Sequence, residues 1–379
     1  MLQLVVDRVG AAAEVARDWL ELQARSSPSF FQSWTWIETW LDNVPADRVA
    51  VRACRDGRLV ALGILAHRPI RRRGIIPVNL LSLQETGDPD LDRLAVEYNG
   101  FLIDRYESPD LPASLLRALA DWRATPTFGA EWDELVLPGV DESWLAAARA
   151  GSLAVEVDRS DPAFGMPLDA ATDRESLLAR ISANSRGQLR RSLRRLAAAG
   201  PLAVDAAATL ASANEGFDRL AALNARRWSG AGIDSAFGSE SFRAFHRALI
   251  ARAWPRREVD VLTVRAGETP IGYMYNFLWG GIAHSYATGF APVDDARIKA
   301  GMNCHVLCAE HYARAGFRLY DLMAGEARFK RSLGIEHTTL HWLRVQRPRL
   351  KLRIETALRS AKRRVDQRRS GSRPSNSAR

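Results

Sequence analysis

The sequence has few cysteines and no long apolar run, and both absences narrow the class of protein. Three cysteines in 379 residues cannot form a disulfide framework, and an odd number is typical of a reducing compartment. The longest proline-free apolar run, residues 59–66, is eight residues long, whereas a membrane-spanning helix needs about 20. The first residues lack the basic and apolar regions of a signal peptide. We therefore expect a cytoplasmic protein without a transmembrane segment.

Several enzyme signatures are also missing. The chain has no G-x-x-x-x-G-K-[ST] loop and no G-x-G-x-x-G after a strand, and it lacks G-x-S-x-G and H-E-x-x-H. These absences argue against nucleotide-binding loops, a serine hydrolase elbow and a zinc peptidase helix. The aspartates at 88, 90 and 92 resemble the start of a calcium loop, but Arg93 and Asn99 occupy the positions that need Gly and Glu. We predict a polar turn there.

The two remaining clusters of cysteine and histidine do not indicate a metal site. Cys304, Cys308 and His311 share one face of a predicted helix, and His337 and His341 share one face of a predicted strand. No fourth ligand accompanies the first group, and buried cysteine packs as a small hydrophobic residue. Packing or solvent exposure is the ordinary role of His337 and His341. We therefore expect no metal.

The length and charge distribution favour two domains and a basic appendage. A chain of 379 residues with 47% hydrophobic and 26% charged residues is typical of a globular protein with two domains. Of the 53 lysines and arginines, 13 lie in residues 344–379, which contain only two acids, so the rest of the chain is nearly neutral. This segment either binds an anionic partner, such as nucleic acid or a membrane, or only improves solubility.

Hydrophobic periodicity and turn residues predict two halves of similar organisation. In the first half they predict strands at 2–6, 49–54, 59–67, 134–137 and 153–157 and helices at 12–22, 33–41, 109–122 and 142–150. In the second half they predict strands at 259–265, 271–279, 282–288, 319–323 and 338–345 and helices at 210–228, 239–253 and 301–315. Helices, then an antiparallel meander, then a helix packed back on it indicate the α+β class.

A segment rich in arginine joins the two halves. Residues 182–200 contain no acid, while Leu189, Leu193 and Leu196 fall at helical spacing and predict an amphipathic helix. Its five arginines are Arg186, Arg190, Arg191, Arg194 and Arg195. Such a helix either binds an anion or is merely a solvated basic helix.

Four stretches of the chain resemble a known family. They are the aromatic segment 30–41, the arginine segment 182–196, the segment 223–228 that ends in Arg227 and Trp228, and the segment 320–330. Together they resemble the CelD/BcsL-like (BioF-like) acyltransferases of the GNAT fold and, more distantly, the Fem-type aminoacyl transferases, which contain two such modules. The clear resemblance covers about residues 170–345.

This resemblance implies a tandem GNAT-like architecture with mixed, largely antiparallel sheets flanked by helices. We predict an N-terminal module at 1–160, a connecting segment at 161–200 and a C-terminal acyltransferase module at 201–346. A basic helix at 347–369 (its core at 351–367) and a disordered tail at 370–379 are expected to follow.

The most specific part of the resemblance is the segment 320–330. Asp321 at a strand end, then Gly325, then Phe329 and Lys330 are similar to the family's Asp, Gly and aromatic-Lys pattern, with Phe where the family often has Tyr. The resemblance implies that Phe329 and Lys330 take part in acyl transfer, because an ammonium stabilises the negative charge that develops on the carbonyl oxygen. Alternatively, Lys330 is a surface lysine paired with Asp321 or Glu326, and Asp321 is structural.

The remaining site residues are predicted from the chemistry of the transfer. A general base is needed to deprotonate an amine, and His284 and Tyr286 share one face of a strand where either is a candidate. Tyr275, on the strand that pairs with theirs, is a third candidate base. We expect Arg227, Trp228 and Tyr275 to contact the acceptor. Each of these residues is alternatively a packing residue.

The donor is predicted to be acyl-CoA, bound at the start of the helix at 301–315. Helix N-termini attract phosphates, and we assign this role to Arg297, Lys299, Gly301 and Met302. Ala300 and Met302 stand where the usual GNAT loop has small, Gly-type residues.

The leading hypothesis is therefore a GNAT-type N-acyltransferase (EC 2.3.1) that moves an acyl group from acyl-CoA to an amine of a sugar, lipid or peptide precursor. One alternative is a Fem-like transferase that uses aminoacyl-tRNA. Another is a non-catalytic GNAT-fold module that binds an anionic partner.

Overall fold

The computed structural model describes residues 2–122, 131–230, 232, 234–352 and 354–355. The strands are β1 (Leu2–Arg8), β2 (Asp47–Arg55), β3 (Arg58–Arg72), β4 (Ile76–Leu83), β5 (Leu102–Ile103), β6 (Glu134–Val140), β7 (Ala154–Pro167), β8 (Leu202–Ala206), β9 (Val259–Ala266), β10 (Thr269–Trp279), β11 (Ile282–Phe290), β12 (Leu319–Ala324) and β13 (Ile335–Gln346). The helices are α1 (Ala13–Gln23), α2 (Trp34–Asn43), α3 (Leu111–Asp121), α4 (Glu142–Ala150), α5 (Arg174–Ala179), α6 (Ala183–Ala197), α7 (Leu210–Gly230), α8 (Glu240–Ala253), α9 (Ala300–Arg314) and α10 (Arg328–Leu333).

All of these strands join one mixed sheet. Its order is β1-β2-β3-β4-β6-β13-β7-β12-β11-β10-β9-β8, with β5 paired to β3. The pairs are antiparallel except for β4 with β6 and β11 with β12, which run parallel. The prediction of mixed, largely antiparallel sheets flanked by helices is confirmed.

The two halves of the chain contribute equivalent series of strands to the sheet, each arranged from one edge towards the centre. Strands β1, β2, β3, β4 and β6 of the first half correspond to β8, β9, β10, β11 and β12 of the second. The last strand of each half lies in the centre, where β7 pairs with β12 and β13 pairs with β6. Each half therefore completes the sheet of the other. The module boundaries proposed from the sequence stay a prediction.

Two hairpins follow directly from their turn residues. Asp56 and Gly57 (φ +52° and +73°) connect β2 to β3, and Gly280 and Gly281 (φ +53° and +75°) connect β10 to β11. Two consecutive positive φ angles produce the turn that best matches strand twist, and Asp-Gly and Gly-Gly adopt it at little cost. Both turns connect consecutive strands that the sequence analysis predicts, 49–54 with 59–67 and 271–279 with 282–288.

The aromatic segment 30–41 packs the two halves together. Phe30 stacks on Phe277 of β10 with ring centroids 4.3 Å apart, and Trp36 meets Phe245 of α8 at 5.1 Å. These four rings are buried, and each contributes on the order of 2 kcal/mol through burial. One hydrophobic core therefore spans both halves and holds their facing surfaces at a fixed distance.

The arginine segment forms the predicted helix, α6, and its apolar face is buried. Leu189, Leu193 and Leu196 pack under the sheet beside α9. Between them Ser192 Oγ accepts hydrogen bonds from the backbone N–H of Lys299, at 2.7 Å, and from the side chain of Asn303. The helix thus fixes the start of α9.

Some elements were not predicted, and some predictions cannot be placed. Strands β4, β5 and β8 and helices α5 and α10 were absent from the sequence-based assignment. The basic helix predicted at 351–367 lies mostly, and the tail at 370–379 entirely, outside the described residues. Within the described part of the chain, no helix combines the length and apolar character needed to span a membrane.

Candidate active site

A gap opens where strands β11 and β12 separate. Their parallel pairing runs from Ile282 opposite Leu319 to His284 opposite Asp321 and then ends. Beyond His284, the only strand that pairs with β11 in the described part of the chain is β10. The space that opens between β11 and β12 is covered by α7, α9 and α10. Side chains from both strands therefore face this space.

Two adjoining cavities occupy the gap. The first, which we call the Lys330 cavity, has a volume of about 390 Å³ and includes Glu97, Trp228, Tyr286 and Lys330 in its wall. The second, the Gly301 cavity, has a volume of about 730 Å³ and is lined by the start of α9 and by α7. The two share the wall residues Thr288, His305 and Phe329. The two cavities therefore lie on either side of a common wall.

Lys330 is held in its cavity by two backbone carbonyls. Its Nζ donates to the oxygens of Ala324, at 2.5 Å, and Met323, at 3.3 Å. Gly325 (φ +120°) allows the sharp turn that brings α10 back over β12. Burial lowers the pKa of Lys330, while Glu97 and Asp321 act in the opposite direction. Because an ammonium has three N–H donors, one is left for a bound molecule.

Asp321 lies behind this cavity rather than in its wall. It is fully buried and accepts hydrogen bonds from His284 Nδ1 (2.7 Å), His337 Nε2 (3.2 Å) and the backbone N–H of Met323 (2.8 Å). Burial acts to raise the pKa of Asp321, but the two histidine hydrogen bonds outweigh it and keep this pKa below its ordinary value. Neither Asp321 nor His284 lines either cavity. Their arrangement fixes Met323 in a left-handed conformation (φ +66°).

Glu97 was missed by the sequence analysis and is contributed by the first half of the chain. Its Oε2 accepts a hydrogen bond of 2.8 Å from the backbone N–H of Ala324. Burial raises the pKa of Glu97 to about 7, although the Ala324 N–H and the Lys330 ammonium oppose this shift. No local motif distinguishes Glu97 in the sequence, because Ala324 and Lys330, which act on its carboxyl group, lie more than 200 positions away.

The two predicted tyrosines have different positions. Tyr286 lines the Lys330 cavity, where its hydroxyl donates to the carbonyl of Leu94 at 2.5 Å and lies 3.2 Å from His246 Nε2. Tyr275 is fully buried among Phe217, Phe277 and His246 and lines neither cavity. Burial raises the pKa of both phenols well above the ordinary value. Both are therefore neutral at physiological pH.

The Gly301 cavity combines a helix start with several cations. Lys299, Gly301 and Met302 lie in its wall together with Arg226 and Arg227. The backbone N–H groups at the start of α9 carry partial positive charge, and the arginines of α7 add full charges. The predicted Trp228 lies across in the Lys330 cavity and is 38% exposed.

Packing also explains why a glycine occupies position 301. A Cβ at this position would lie 2.9 Å from the ring of Phe290, so glycine is what allows α9 to approach β11. Arg297, by contrast, lines neither cavity. Its guanidinium binds Asp295 at 2.7 Å, and Asp295 also binds Arg195 of α6 at 2.5 Å. The structure thus brings Lys299, Gly301 and Met302 together and leaves Arg297 outside.

The cap on α9 gives a first testable prediction. Ser192→Ala removes the oxygen that accepts from Lys299 and Asn303, and we expect a loss of about 1–2 kcal/mol in the free energy of unfolding. Ser182→Ala is the matched control, because the Ser182 side chain makes no capping hydrogen bond. Denaturant unfolding of both variants measures the difference. Equal stability of the two variants would contradict this role of Ser192.

The described residues contain no group of three or more His, Cys, Asp or Glu placed to hold a metal ion. Cys304 and Cys308 are buried, and burial raises the pKa of both thiols. They pack as apolar residues beneath the sheet.

Comparison with protein families adds to this geometry. Residues 183–331 match the family model described as an acetyltransferase (GNAT) domain. This segment of the chain has the GNAT fold. The match supports a transferase and spans α6 to α10, so it includes Lys330 and the start of α9 but not Glu97. The comparison with curated protein sequences returned no match.

Solved structures of the same fold extend over nearly the whole chain. FemX has a TM-score of 0.54 at 10% identity and covers 89% of this chain and 96% of its own. L-PGS from Bacillus licheniformis has a TM-score of 0.51 at 10% identity, with 90% and 96% covered. The C-terminal domain (DUF2156) of a putative lysylphosphatidylglycerol synthetase from Agrobacterium fabrum has a TM-score of 0.50 at 13% identity, with 93% and 96% covered. At these identities the likeness concerns the fold alone.

Proposed function

We propose that this protein is a cytoplasmic GNAT-type N-acyltransferase, similar to the CelD/BcsL-like group, that transfers an acyl group from acyl-CoA to an amine of a sugar, lipid or peptide precursor. The observation that carries the proposal is the meeting of two cavities at Thr288, His305 and Phe329. A donor in the Gly301 cavity and an acceptor in the Lys330 cavity would come together beside the Lys330 ammonium.

The Gly301 cavity suits a phosphate-bearing donor with an apolar part. Arg226, Arg227 and Lys299, with the first N–H groups of α9, would hold the phosphates of CoA. The same cavity has apolar walls formed by Ile298, Met302 and Phe290. These walls would take the acyl chain and the apolar part of the donor.

The Lys330 cavity supplies the charge that acyl transfer requires. Attack on an acyl carbonyl places negative charge on its oxygen, and a preorganised ammonium in a half-buried site stabilises that charge. Trp228, Asn224 and Tyr286 form the wall on the acceptor side. Phe329, stacked on His305 with centroids 5.1 Å apart, separates the two cavities and would position the acyl group.

A second candidate is an aminoacyl-tRNA-dependent transferase, and the position of α6 favours it. This helix contacts the start of α9 through Ser192 and carries five arginines. Arg190 binds Glu175 and Arg195 binds Asp295, while Arg191 and Arg194 have no ion pair among the described residues. In the basic segment at 344–379, Arg344, Arg349 and Lys351 pair with Asp158, Glu131 and Asp133. The basic residues after position 352 would therefore join Arg191 and Arg194 in attracting RNA phosphates. A non-catalytic module that binds an anionic partner through the same surface is the third candidate.

Thermal unfolding with ligands separates these candidates. Acetyl-CoA or a longer acyl-CoA at about 100 times its Kd is expected to stabilise the folded protein by about 2.7 kcal/mol, and the shift should be lost in Arg227→Ala combined with Lys299→Ala. Arg219→Ala is the control, since Arg219 lies on α7 outside both cavities and pairs with Glu215. A shift with aminoacyl-tRNA alone, falling steeply with salt, would favour the second candidate instead.

A further inference from the structure

Two ionisable side chains from opposite halves of the protein bind the backbone of the same residue, Ala324. Glu97, which follows β4 in the first half, accepts a hydrogen bond from the N–H of Ala324. Lys330, in the second half, donates to the carbonyl of the same residue. Both side chains line the Lys330 cavity. The carboxylate and the ammonium are therefore fixed relative to each other through a single residue of β12.

We propose that Glu97 is the catalytic base of the transfer and that the acceptor is a primary amine which enters the Lys330 cavity as an ammonium ion. The inference rests on the proposed acyl transfer and adds to it a named base and a class of acceptor. The Ala324 N–H occupies Oε2, which leaves Oε1 to accept a proton from the amine.

Other acidic and basic groups near the gap are engaged or weakly basic. Asp234 also lines the cavity, but it is 74% exposed on its side chain and binds Arg93 at 2.7 Å. Asp321 is enclosed by two histidines away from the cavity. Burial lowers the pKa of His305 to about 3, so this imidazole holds a proton poorly at neutral pH. The phenol of Tyr286 donates its own proton to Leu94.

The pKa of Glu97 is suited to general-base catalysis. Burial raises its pKa to about 7, and a general base works best when its pKa lies near the working pH. At that pH a substantial fraction of the protein has an ionised Glu97. The raised pKa of Glu97 also reduces the difference from the pKa of an ammonium ion, so transfer of the proton is less unfavourable than it would be to a carboxylate with an ordinary pKa.

The step balances in atoms and protons. Glu97 takes one proton from the bound ammonium, and the neutral amine nitrogen attacks the thioester carbonyl carbon. The C–N bond forms, and the oxygen carries negative charge beside Lys330. The C–S bond then breaks, the second proton of the nitrogen goes to the departing thiolate, and Glu97 releases its proton to solvent. The products are an amide, CoA and one proton.

Two amines of nearly equal shape test this role directly. Ethylamine is an ammonium ion at pH 7.5, whereas methoxyamine is neutral there and needs no base to deprotonate it before attack. We expect Glu97→Gln to lower acetyl transfer from acetyl-CoA to ethylamine by about 10²-fold and transfer to methoxyamine only a few-fold. For the unaltered protein, the rate with ethylamine should rise with pH through about 7, and this limb should vanish in Glu97→Gln.

Glu326→Gln is the matched control for this substitution. Glu326 also precedes Lys330 on the chain, but its side chain is 65% exposed and pairs with Arg331. It should retain the full rate with both amines. Glutamine at position 97 still offers an oxygen to the Ala324 N–H, so the fold of the turn is preserved.

A second readout does not depend on turnover. Because the pKa of Glu97 is raised in the folded protein, folding is favoured when Glu97 is protonated, and its contribution to stability is lost as the pH rises towards about 7. The melting temperature of Glu97→Gln relative to the unaltered protein should therefore increase between pH 5 and pH 8, whereas that of Glu326→Gln should stay level.

The possible results distinguish the two levels of the proposal. If Glu97→Gln transfers to ethylamine as fast as the unaltered protein, or loses equal activity with both amines, Glu97 is not the base, and the acyl transfer itself still stands. If the unaltered protein transfers acyl groups from neither acetyl-CoA nor longer acyl-CoAs to either amine, the proposed function fails and the role of Glu97 fails with it.

Discussion

Lys330→Met is expected to reduce kcat for acyl transfer by about 10³-fold and to leave acyl-CoA binding nearly unchanged. Removing one preorganised donor from an oxyanion site typically costs about 10²–10³-fold, and here the donor also carries a full charge in a half-buried cavity. Lys330 does not line the Gly301 cavity, so the predicted contacts of the donor remain. Methionine retains the length and apolar stem of the side chain.

The control for this prediction is the next residue. Arg331→Met removes a cation from the same short helix, but Arg331 is 53% exposed on its side chain and pairs with Glu326. It should keep its rate within a few-fold. Steady-state kinetics and the acyl-CoA thermal shift, measured on both variants, separate catalysis from binding. A Lys330→Met protein that keeps its rate, or one that loses the acyl-CoA shift, contradicts the assigned role.

The sequence reveals those parts of the site that local patterns encode. Lys330 and Phe329 lie nine and eight positions after Asp321, on a segment that carries its own glycine turn, so one motif describes them. The start of α9 is likewise a local feature. In contrast, the sequence alone places Arg297 beside the donor, and the structure shows it bound to Asp295, whose other partner comes from α6.

Glu97 was missed for a topological reason. It reaches Ala324 because β7 and β13 cross into the centre of the sheet and bring the two halves against each other. Hydrophobic periodicity is a local property, so it cannot predict which strands pair when they lie more than 100 positions apart in the sequence. The short strands β5 and β8 (two and five residues) were missed for a related reason, since their stability comes from neighbouring strands rather than from their own sequence.

Asp321→Ala is expected to destabilise the protein by about 3–5 kcal/mol, because removal of a buried carboxylate leaves the groups that donate hydrogen bonds to it without their acceptor. The substitution deprives His284, His337 and the Met323 N–H of their common acceptor. Since the pKa of Asp321 is held below its ordinary value, its contribution to stability is present above the pKa of the unfolded chain and is lost only as the pH falls through the folded pKa. Denaturant unfolding at pH 7 and pH 8 should therefore give the same large loss.

Asp260→Asn provides a comparison, because the pKa of Asp260, in the same sheet, is shifted in the opposite direction from that of Asp321. Burial raises the pKa of Asp260 to about 6, and its hydrogen bond comes from the Tyr312 hydroxyl at 3.3 Å. Its ionised form opposes folding above that pH, so the amide should leave stability at pH 8 unchanged or increase it. Asp321→Asn at the same pH should still destabilise by several kcal/mol, because the amide cannot replace the charge that both histidines contact. Equal effects of the two substitutions would show that burial alone, and not the histidine contacts, decides how Asp321 affects stability.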